Sequence, residues 1–158
     1  MAHCQQILPY ALAAQKAHPL LQLSWIVAVA STETNCSNEK EHGGGGGRGY
    51  MQIDEHWHKQ WLMLHNDGMD PASNILQGSA ILESDIKHFL KKGYSPQRAL
   101  FAGFAAYNAG VGGAEKGISL HGDPDRFTTN RYASRVLLAA TKLSFLDNPP
   151  VQLQLLSR

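Results

Sequence analysis

The succession of apolar and polar positions along the chain indicates a mainly helical protein with one buried central helix. Every residue over 25–30 is apolar, and the polar residues 31–35 follow at once. A helix that is apolar on all sides has to be buried against other elements. The pattern therefore predicts a core helix over 20–32, whose end carries Glu33 out of the apolar interior.

Four more segments have the apolar spacing or the boundary residues of helices. Pro9 and Pro96 each suit a first helical turn, because proline lacks only a donor that is unpaired there. Ser95 has the side chain of an N-cap, and the glycines from Gly110 onward are expected to end the helix that follows it. The predicted helices cover residues 11–17, 74–90, 98–108 and 130–146.

The segment between the core helix and residue 50 is polar and then rich in glycine. Five glycines run from Gly43 to Gly47, without the Lys-Ser/Thr pair that follows the glycines of a phosphate-binding loop. Such a segment is either a flexible connector or a loop or short hairpin that touches a ligand. Residues 50–54 suit a short extended stretch. The predicted fold class is mainly α, with at most a small β-hairpin around 45–53.

Length and composition favour one domain and exclude several partners. The 158 residues, of which 43% are hydrophobic, are enough for one sizeable core and too few for two domains. We expect a single domain over 1–147 and a short tail over 148–158. The formal net charge of +1 provides no attraction to nucleic acid or anionic lipid. No apolar run approaches the roughly 20 residues that cross a bilayer, and the N-terminal residues lack the pattern of a secretory signal.

The cysteines and histidines give little sign of a metal site. Cys4 and Cys36 can form one bridge at most, and neither belongs to a C-x-x-C pair, so we interpret both as free thiols. The eight histidines raise a zinc alternative, because His56 and His58 would lie on one face of an extended segment. Zinc sites have tighter Cys and His spacing than this chain offers. We therefore favour histidines that lie at the surface or contact a ligand, and no metal.

Six short motifs follow one another along the chain, and their order carries more information than any one of them. They are residues 31–35 (STETN), 49–54 (GYMQID), 57–58 (WH), 74–79 (NILQGS), 106–110 (AYNAG) and Tyr132. In this order and spacing the chain resembles the goose-type lysozymes and the soluble lytic transglycosylases (SLT) over 20–143. The resemblance implies a lysozyme-like fold, a peptidoglycan substrate, and neither a cofactor nor a metal.

The resemblance also implies roles for the residues of these motifs. By this likeness Glu33 is the general acid, which agrees with its place at the end of an apolar helix, where burial raises the pKa of a carboxyl. Gln52 and Asn108 then bind the sugar N-acetyl groups or the reaction centre, and Tyr107 and Tyr132 surround the acid. The remaining predicted substrate-binding residues are Tyr50, Met51 and His58.

Structural roles compete with these assignments. A glutamate at the end of a helix is more often a solvated terminus than an acid catalyst. Tyr107 also fits a core aromatic beside Phe101 and Phe104, and Asn108 also fits a helix C-cap near the following glycines. The choice between the two interpretations depends on whether the fold brings the separate motifs to one place.

Asp54 bears on the type of cleavage. By the resemblance it matches the aspartate that positions a water molecule in goose-type lysozymes. An inverting hydrolase needs a second carboxylate roughly 6.5–9.5 Å from the acid. A lytic transglycosylase uses the 6-hydroxyl of muramic acid instead. A further aspartate of the goose type is missing, since glycines occupy its loop, although Glu39 and Glu41 lie nearby in sequence. We predict a muramidase with Glu33 and Asp54 as its catalytic residues, and with Glu41 as the lesser candidate for water.

The predicted activity is hydrolysis of the β-1,4 bond between MurNAc and GlcNAc in peptidoglycan glycan strands. Two alternatives stay open, namely a lytic transglycosylase that forms 1,6-anhydro-MurNAc and a catalytically weak glycan-binding module. Such a protein acts on the cell wall, in the periplasm or outside the cell, and we expect a monomer without a nucleic-acid partner or a membrane span. Phage endolysins, tail-associated lysins and delivered antibacterial effectors all fit this description.

Overall fold

The computed structural model describes residues 2–147, and the predicted tail 148–158 lies outside them. Within the described residues the chain forms six α-helices and one two-stranded sheet. The helices are α1 (Leu8–Ala17), α2 (Leu23–Thr34), α3 (Glu55–Leu64), α4 (Pro71–Lys91), α5 (Pro96–His121) and α6 (Tyr132–Lys142). The strands β1 (Gly47–Arg48) and β2 (Ile53–Asp54) pair antiparallel. The prediction of a mainly α fold with a small hairpin is confirmed.

Helix α2 forms the centre of the core, as its apolar run predicts. Residues 26–30 are all buried, and the helix packs against α1 and α6. It begins at Leu23 rather than at residue 20, because the Leu21 amide donates to the His18 carbonyl (3.0 Å) in a preceding turn. It ends where Asn35 adopts a left-handed backbone (φ 53°). No helix within residues 2–147 is long and apolar enough to span a membrane.

The predicted end of α5 at Gly110 is wrong. Gly110 has a positive φ (71°, with ψ 159°) that breaks the helix, and the chain then resumes helical turns to the end of α5. Val111, Ala114 and Ile118 recur at helical spacing behind the break and pack into the core, so the second part has an apolar face of its own. The break separates the part of α5 with the Ala-Tyr-Asn motif from the part in which Gly117 lies close to Pro124.

The segment after Asp54 is helical, so the prediction that its histidines lie on an extended segment is wrong. Asp54 caps α3, and its Oδ1 accepts a hydrogen bond from the His56 amide (2.7 Å). Aspartate is among the preferred residues at this position. The backbone of His58 departs from helical angles (φ −125°), and only Leu62 of this helix is buried. Helix α3 therefore lies on the surface with most of its side chains exposed.

Cys4 and Cys36 form a disulfide, so the prediction of free thiols is wrong. A short 3-10 segment, Ala2–Ile7, packs against α2 and brings together two cysteines that are 32 positions apart in sequence. Gln6 supports the same contact by donating from Nε2 to the Cys36 carbonyl (2.9 Å). The N-terminal segment is thereby tied covalently to the chain just after Glu33.

Candidate active site

Glu33 lies in the last turn of α2, where the buried helix meets the surface. Its Oε1 accepts a hydrogen bond from the Tyr132 hydroxyl at the start of α6 (2.6 Å). Burial raises the pKa of Glu33 to about 7; the hydrogen bond from Tyr132 opposes this rise, the charge of Glu41 adds to it, and the charge of Arg135 opposes it. A carboxyl with this pKa still holds much of its proton near neutral pH and can donate it.

Tyr132 is held in place by a buried aspartate that no motif singles out. Asp125 is fully buried and accepts hydrogen bonds from the amides of Ala133 (2.9 Å) and Ser134 (3.1 Å) at the beginning of α6. Thr128 donates to Asp125 and accepts from the Tyr132 amide (3.0 Å). Burial opposes the charge on Asp125, but the hydrogen bonds outweigh it and lower the pKa. The sequence signal was an aspartate and a threonine ahead of a predicted helix start.

Tyr107 joins α5 to the hairpin motif and lies close to the acid. Its hydroxyl donates to the Met51 carbonyl (2.7 Å). Burial raises the pKa of Tyr107 well above its usual value, and the charges of Glu33 and Asp85 raise it further. The interpretation of Tyr107 as a core aromatic alone is therefore too narrow, because its hydroxyl is hydrogen-bonded to the hairpin motif and the charges of two carboxyl groups act on it.

Tyr50 and Met51, two of the predicted substrate-binding residues, have buried side chains, and neither lines the cleft described below. Met51 is fully buried and packs against Gly78, where a Cβ would lie 2.6 Å from the Met51 Sδ. Tyr50 is 7% exposed, and its carbonyl accepts from the Thr34 hydroxyl (3.0 Å). Asn74 accepts from the Met51 amide through Oδ1 (2.9 Å). These contacts anchor the hairpin motif to α2 and α4.

A cleft of about 260 Å³ brings five predicted site residues together from two distant parts of the sequence. Its lining residues are Gln52, Ile53, Asp54, Trp57, His58, Ile81, Ala106, Tyr107, Asn108 and Gly110. Glu33 and Tyr132 are not on this lining, but Tyr107 lines the cleft and feels the charge of Glu33. A larger cavity of about 330 Å³, around Phe101 and Ile118, contains none of the predicted site residues.

Gln52 and Asn108 line the cleft with part of their hydrogen-bonding capacity already used by the protein. Gln52 has a positive φ (48°) and donates from Nε2 to the carbonyls of Glu39 (3.1 Å) and Gly49 (2.8 Å). Asn108 is exposed, and its Oδ1 accepts from the Thr129 amide (2.8 Å). The Gln52 Oε1 and the Asn108 Nδ2 are thus an acceptor and a donor that match the two edges of an acetamido group.

Asp54 and Glu41, the two candidates for a second carboxylate, have different surroundings. Asp54 is exposed at the N-cap of α3, and its charge is not among those that shift the pKa of Glu33. The Glu41 carboxylate accepts from the Gly47 amide (3.0 Å), and a Cβ at Gly45 would collide with it. The charge of Glu41 raises the pKa of Glu33. The glycine run therefore packs against an exposed carboxylate whose charge acts on the acid.

Asp85 is a further carboxyl with a raised pKa, and no motif singles it out. It is half-buried one turn after Ile81 on α4, and burial raises its pKa to about 7. Its charge raises the pKa of Tyr107, so it lies near the part of the cleft that Tyr107 lines. The signal in the sequence was a single aspartate among the apolar positions of a predicted helix.

The comparison with known proteins agrees with this geometry. The profile of the family described as the transglycosylase SLT domain matches residues 11–130, which include Glu33, the hairpin and the Ala-Tyr-Asn motif of α5. No sequence among curated proteins matches the chain significantly. The family match covers well over half of the chain and confirms the family that the motifs predicted. The chain therefore belongs to the SLT transglycosylase domain family, whose members cleave peptidoglycan in the cell wall space.

Proposed function

We propose that the protein cleaves the β-1,4 bond between MurNAc and GlcNAc with Glu33 as the general acid. The observation that carries this proposal is the Glu33 carboxyl, which is half-buried, hydrogen-bonded by Tyr132 and has a pKa of about 7. Protonation of the GlcNAc leaving oxygen needs an acid that holds its proton near neutral pH. As the bond between C1 and this oxygen breaks, the proton passes from Glu33 to the oxygen and positive charge develops at C1 of MurNAc.

The glycan strand binds in the cleft that contains Gln52, His58, Tyr107 and Asn108. An acetamido group offers one N–H and one carbonyl, which pair with the Gln52 Oε1 and the Asn108 Nδ2. Tyr132 has no direct contact with the strand in this scheme. Its hydrogen bond stabilises the Glu33 carboxylate that remains after proton transfer, in agreement with its lowering effect on the pKa.

For the second step we propose attack by the 6-hydroxyl of the same MurNAc residue. Glu33, now a carboxylate, takes the proton of that hydroxyl while its oxygen bonds to C1. No water is consumed, and the product carries a 1,6-anhydro end. The place of Asp54 supports this choice, because its Oδ1 is engaged at the N-cap of α3. The muramidase with Asp54 as a catalytic residue is therefore the second candidate.

The Glu41 carboxylate is the observation that favours hydrolysis as this second candidate. Its charge acts on Glu33, so a carboxylate besides the acid lies near the reaction centre. In this reaction Glu41, or Asp54 from the cleft wall, takes a proton from a water molecule. The water oxygen bonds to C1 on the face opposite the leaving group. The product is then a reducing MurNAc end.

Mass spectrometry of muropeptides from digested, purified peptidoglycan tests the proposal. Anhydro ends are lighter than reducing ends by one water, so the digest identifies the nucleophile directly. We expect mostly anhydro ends from the wild-type protein and intact strands from Glu33→Gln. A digest with reducing ends only would replace transglycosylation by hydrolysis. If sacculi bind the wild-type protein but release no fragments, the protein is a glycan-binding module and the proposal is overturned.

A further inference from the structure

Trp57 is a large aromatic side chain that the fold leaves in solvent. It is 77% exposed, whereas Trp25 and Trp61 are partly buried and pack against the core. It also lines the cleft that contains Tyr107 and Asn108. An exposed indole gains no burial energy in folding, and aromatic side chains are the characteristic apolar contacts of ligand sites. Its position beside the cleft therefore points to contact with the ligand.

The position of Trp57 is set by its neighbours rather than by burial. Asp54 caps the first turn of α3 through the His56 amide (2.7 Å). The His56 ring meets the Trp57 ring edge to face, with the ring centroids 4.6 Å apart. The backbone of His58, the next residue, departs from helical angles (φ −125°). The indole is thus oriented by local structure while most of its surface stays open.

The cleft combines two kinds of surface. Gln52 and Asn108 provide an acceptor and a donor, and Trp57 provides a flat apolar surface without charge. A pyranose ring has the matching construction, with hydroxyl and acetamido groups around its edge and C–H groups on its faces. A glycan strand is therefore the class of ligand that satisfies both surfaces at once.

We propose that Trp57 is the stacking platform of a sugar-binding subsite, on which one pyranose ring of the glycan strand lies beside the ring that reacts at Glu33. This inference rests on the proposed function for the identity of the strand, and it assigns the α3 wall to strand binding rather than to chemistry. Loss of the indole should weaken strand binding about tenfold, a usual size for one stacked aromatic contact.

Helix α3 also provides matched controls, because it carries two other exposed apolar side chains. Met63 is 75% exposed and Leu64 is 80% exposed, and neither lines the cleft. Leu64→Ala therefore removes a comparable exposed surface without touching the subsite. Trp57→Phe keeps an aromatic face, and Trp57→Ala removes it. Because these side chains are exposed, each variant should keep the unfolding free energy within about 0.5 kcal/mol of its parent.

Binding is measured by calorimetry with soluble glycan strands stripped of their peptides by an amidase. The full chain carries Glu33→Gln, so that the strands are not consumed. We expect the Kd to rise about tenfold in Trp57→Ala, to stay within about threefold in Trp57→Phe and to be unchanged in Leu64→Ala. Bound strands should also protect tryptophan fluorescence from iodide, because Trp57 is the tryptophan most open to solvent.

Equal affinity of Trp57→Ala and its parent, or an equal loss in Leu64→Ala, overturns the subsite. Digestion of purified walls, with Glu33 restored, separates this failure from that of the proposed function. A wild-type protein that digests walls while Trp57→Ala binds strands normally refutes the subsite alone. A wild-type protein that binds strands through Trp57 and digests nothing refutes cleavage alone.

Discussion

The two sides of the site are built in different ways. The acid side consists of Glu33, Tyr132 and Asp125, which are linked through hydrogen bonds and the start of α6, with Asp125 fully buried. The α3 side consists of the glycine run, the hairpin and α3, where Asp54 and Trp57 are exposed. The acid is carried by a core helix, whereas the α3 side is anchored to the core through buried residues such as Met51 and presents exposed groups on α3.

This difference separates two physical tasks. Burial is what raises the pKa of Glu33 from 4.5 to about 7. The acid therefore has to be carried by a buried element. A polymer can be bound only by a wall that stays open to it, so the groups that meet the strand have to be exposed. Substitutions on the acid side should therefore change pH dependence and stability, and those on the α3 side should change affinity.

The largest effect should come from Glu33→Gln, which keeps the shape of the side chain but has no proton to donate. We expect wall digestion to fall about 10²–10⁴-fold, the range usual for the loss of a general acid. The loss of turbidity of a purified wall suspension measures this rate. Residual activity above a few per cent of the wild-type value would contradict the assignment of the acid.

The same variant tests whether burial sets the pKa of Glu33. In the folded protein this pKa is about 7, above the ordinary value of 4.5, so the folded state binds the proton more tightly than the unfolded state. The stability that this group contributes is therefore present at low pH and is lost as pH rises from 4.5 to about 7. The Tm of Glu33→Gln relative to wild type should rise across this window. A difference in Tm that is independent of pH would mean that Glu33 ionises normally.

The second largest effect should follow from opening the disulfide on the acid side. Cys4→Ala combined with Cys36→Ala removes a link across 32 positions, which should lower the unfolding free energy by about 3–4 kcal/mol if chain entropy dominates. Denaturant titration measures the change. A reducing agent should reproduce it in the wild-type protein and have no effect on the double variant. A denaturation midpoint of the wild-type protein that does not change with the reducing agent would show that the disulfide-linked N-terminal segment contributes little to stability.

The third effect should come from Asp125→Asn, because an amide cannot accept all the hydrogen bonds that the carboxylate accepts. We expect a loss of about 1–3 kcal/mol of unfolding free energy. The substitution should also loosen Tyr132, whose hydrogen bond lowers the pKa of Glu33. The pKa of Glu33 should then rise, and the alkaline limb of the pH–rate profile should move to higher pH.

Two further variants serve as references for the shift of the alkaline limb in Asp125→Asn. Tyr132→Phe deletes the hydrogen bond to Glu33 directly and sets the upper limit of the shift. Ser134→Ala removes one hydrogen bond to Asp125 (2.6 Å) and should leave the alkaline limb in place. If Asp125→Asn lowers stability and the limb does not move, Asp125 only caps α6 and has no part in setting the acid.

The smallest effect should come from Asp54→Asn on the α3 side. Asparagine caps a helix as well as aspartate does, so α3 should stay intact. We expect wall digestion to change by less than about threefold, under 1 kcal/mol of transition-state free energy. Glu41→Gln is the informative partner, because it removes a charge that raises the pKa of Glu33 and should move the alkaline limb to lower pH. A large loss of rate in Asp54→Asn would indicate that Asp54 activates water and that the reaction is hydrolysis.

Much of the acid side could be predicted from the sequence, because its signals are local. An apolar run that ends in a glutamate specifies a buried helix with an acid at its end. The Ala-Tyr-Asn motif and Tyr132 likewise belong to segments whose helical spacing is clear. The family and the mainly α fold followed from these segments, and both are confirmed.

The features that sequence reasoning missed depend on contacts between distant residues. Cys4 and Cys36 meet only because the N-terminal segment packs against α2. Asp125 is a polar residue in a polar stretch, and its burial follows from the packing of Pro124–Phe127 against α5. Helix α3 was missed because three of its large apolar side chains, Trp57, Met63 and Leu64, are exposed, so its hydrophobic positions do not follow the period of a core-facing helix.

Because Cys4 and Cys36 form a disulfide, the stability of the fold depends on the redox state of the compartment that contains the protein. In a reducing cytosol the two residues remain thiols, and the turn behind Glu33 is held by non-covalent contacts alone. In an oxidising space such as the exterior of a cell the bond closes and braces that turn. Inside the cell that synthesises it, the protein would thus be in the reduced, less stable form. The disulfide-bonded, more stable form would exist outside the cytosol, where the peptidoglycan lies.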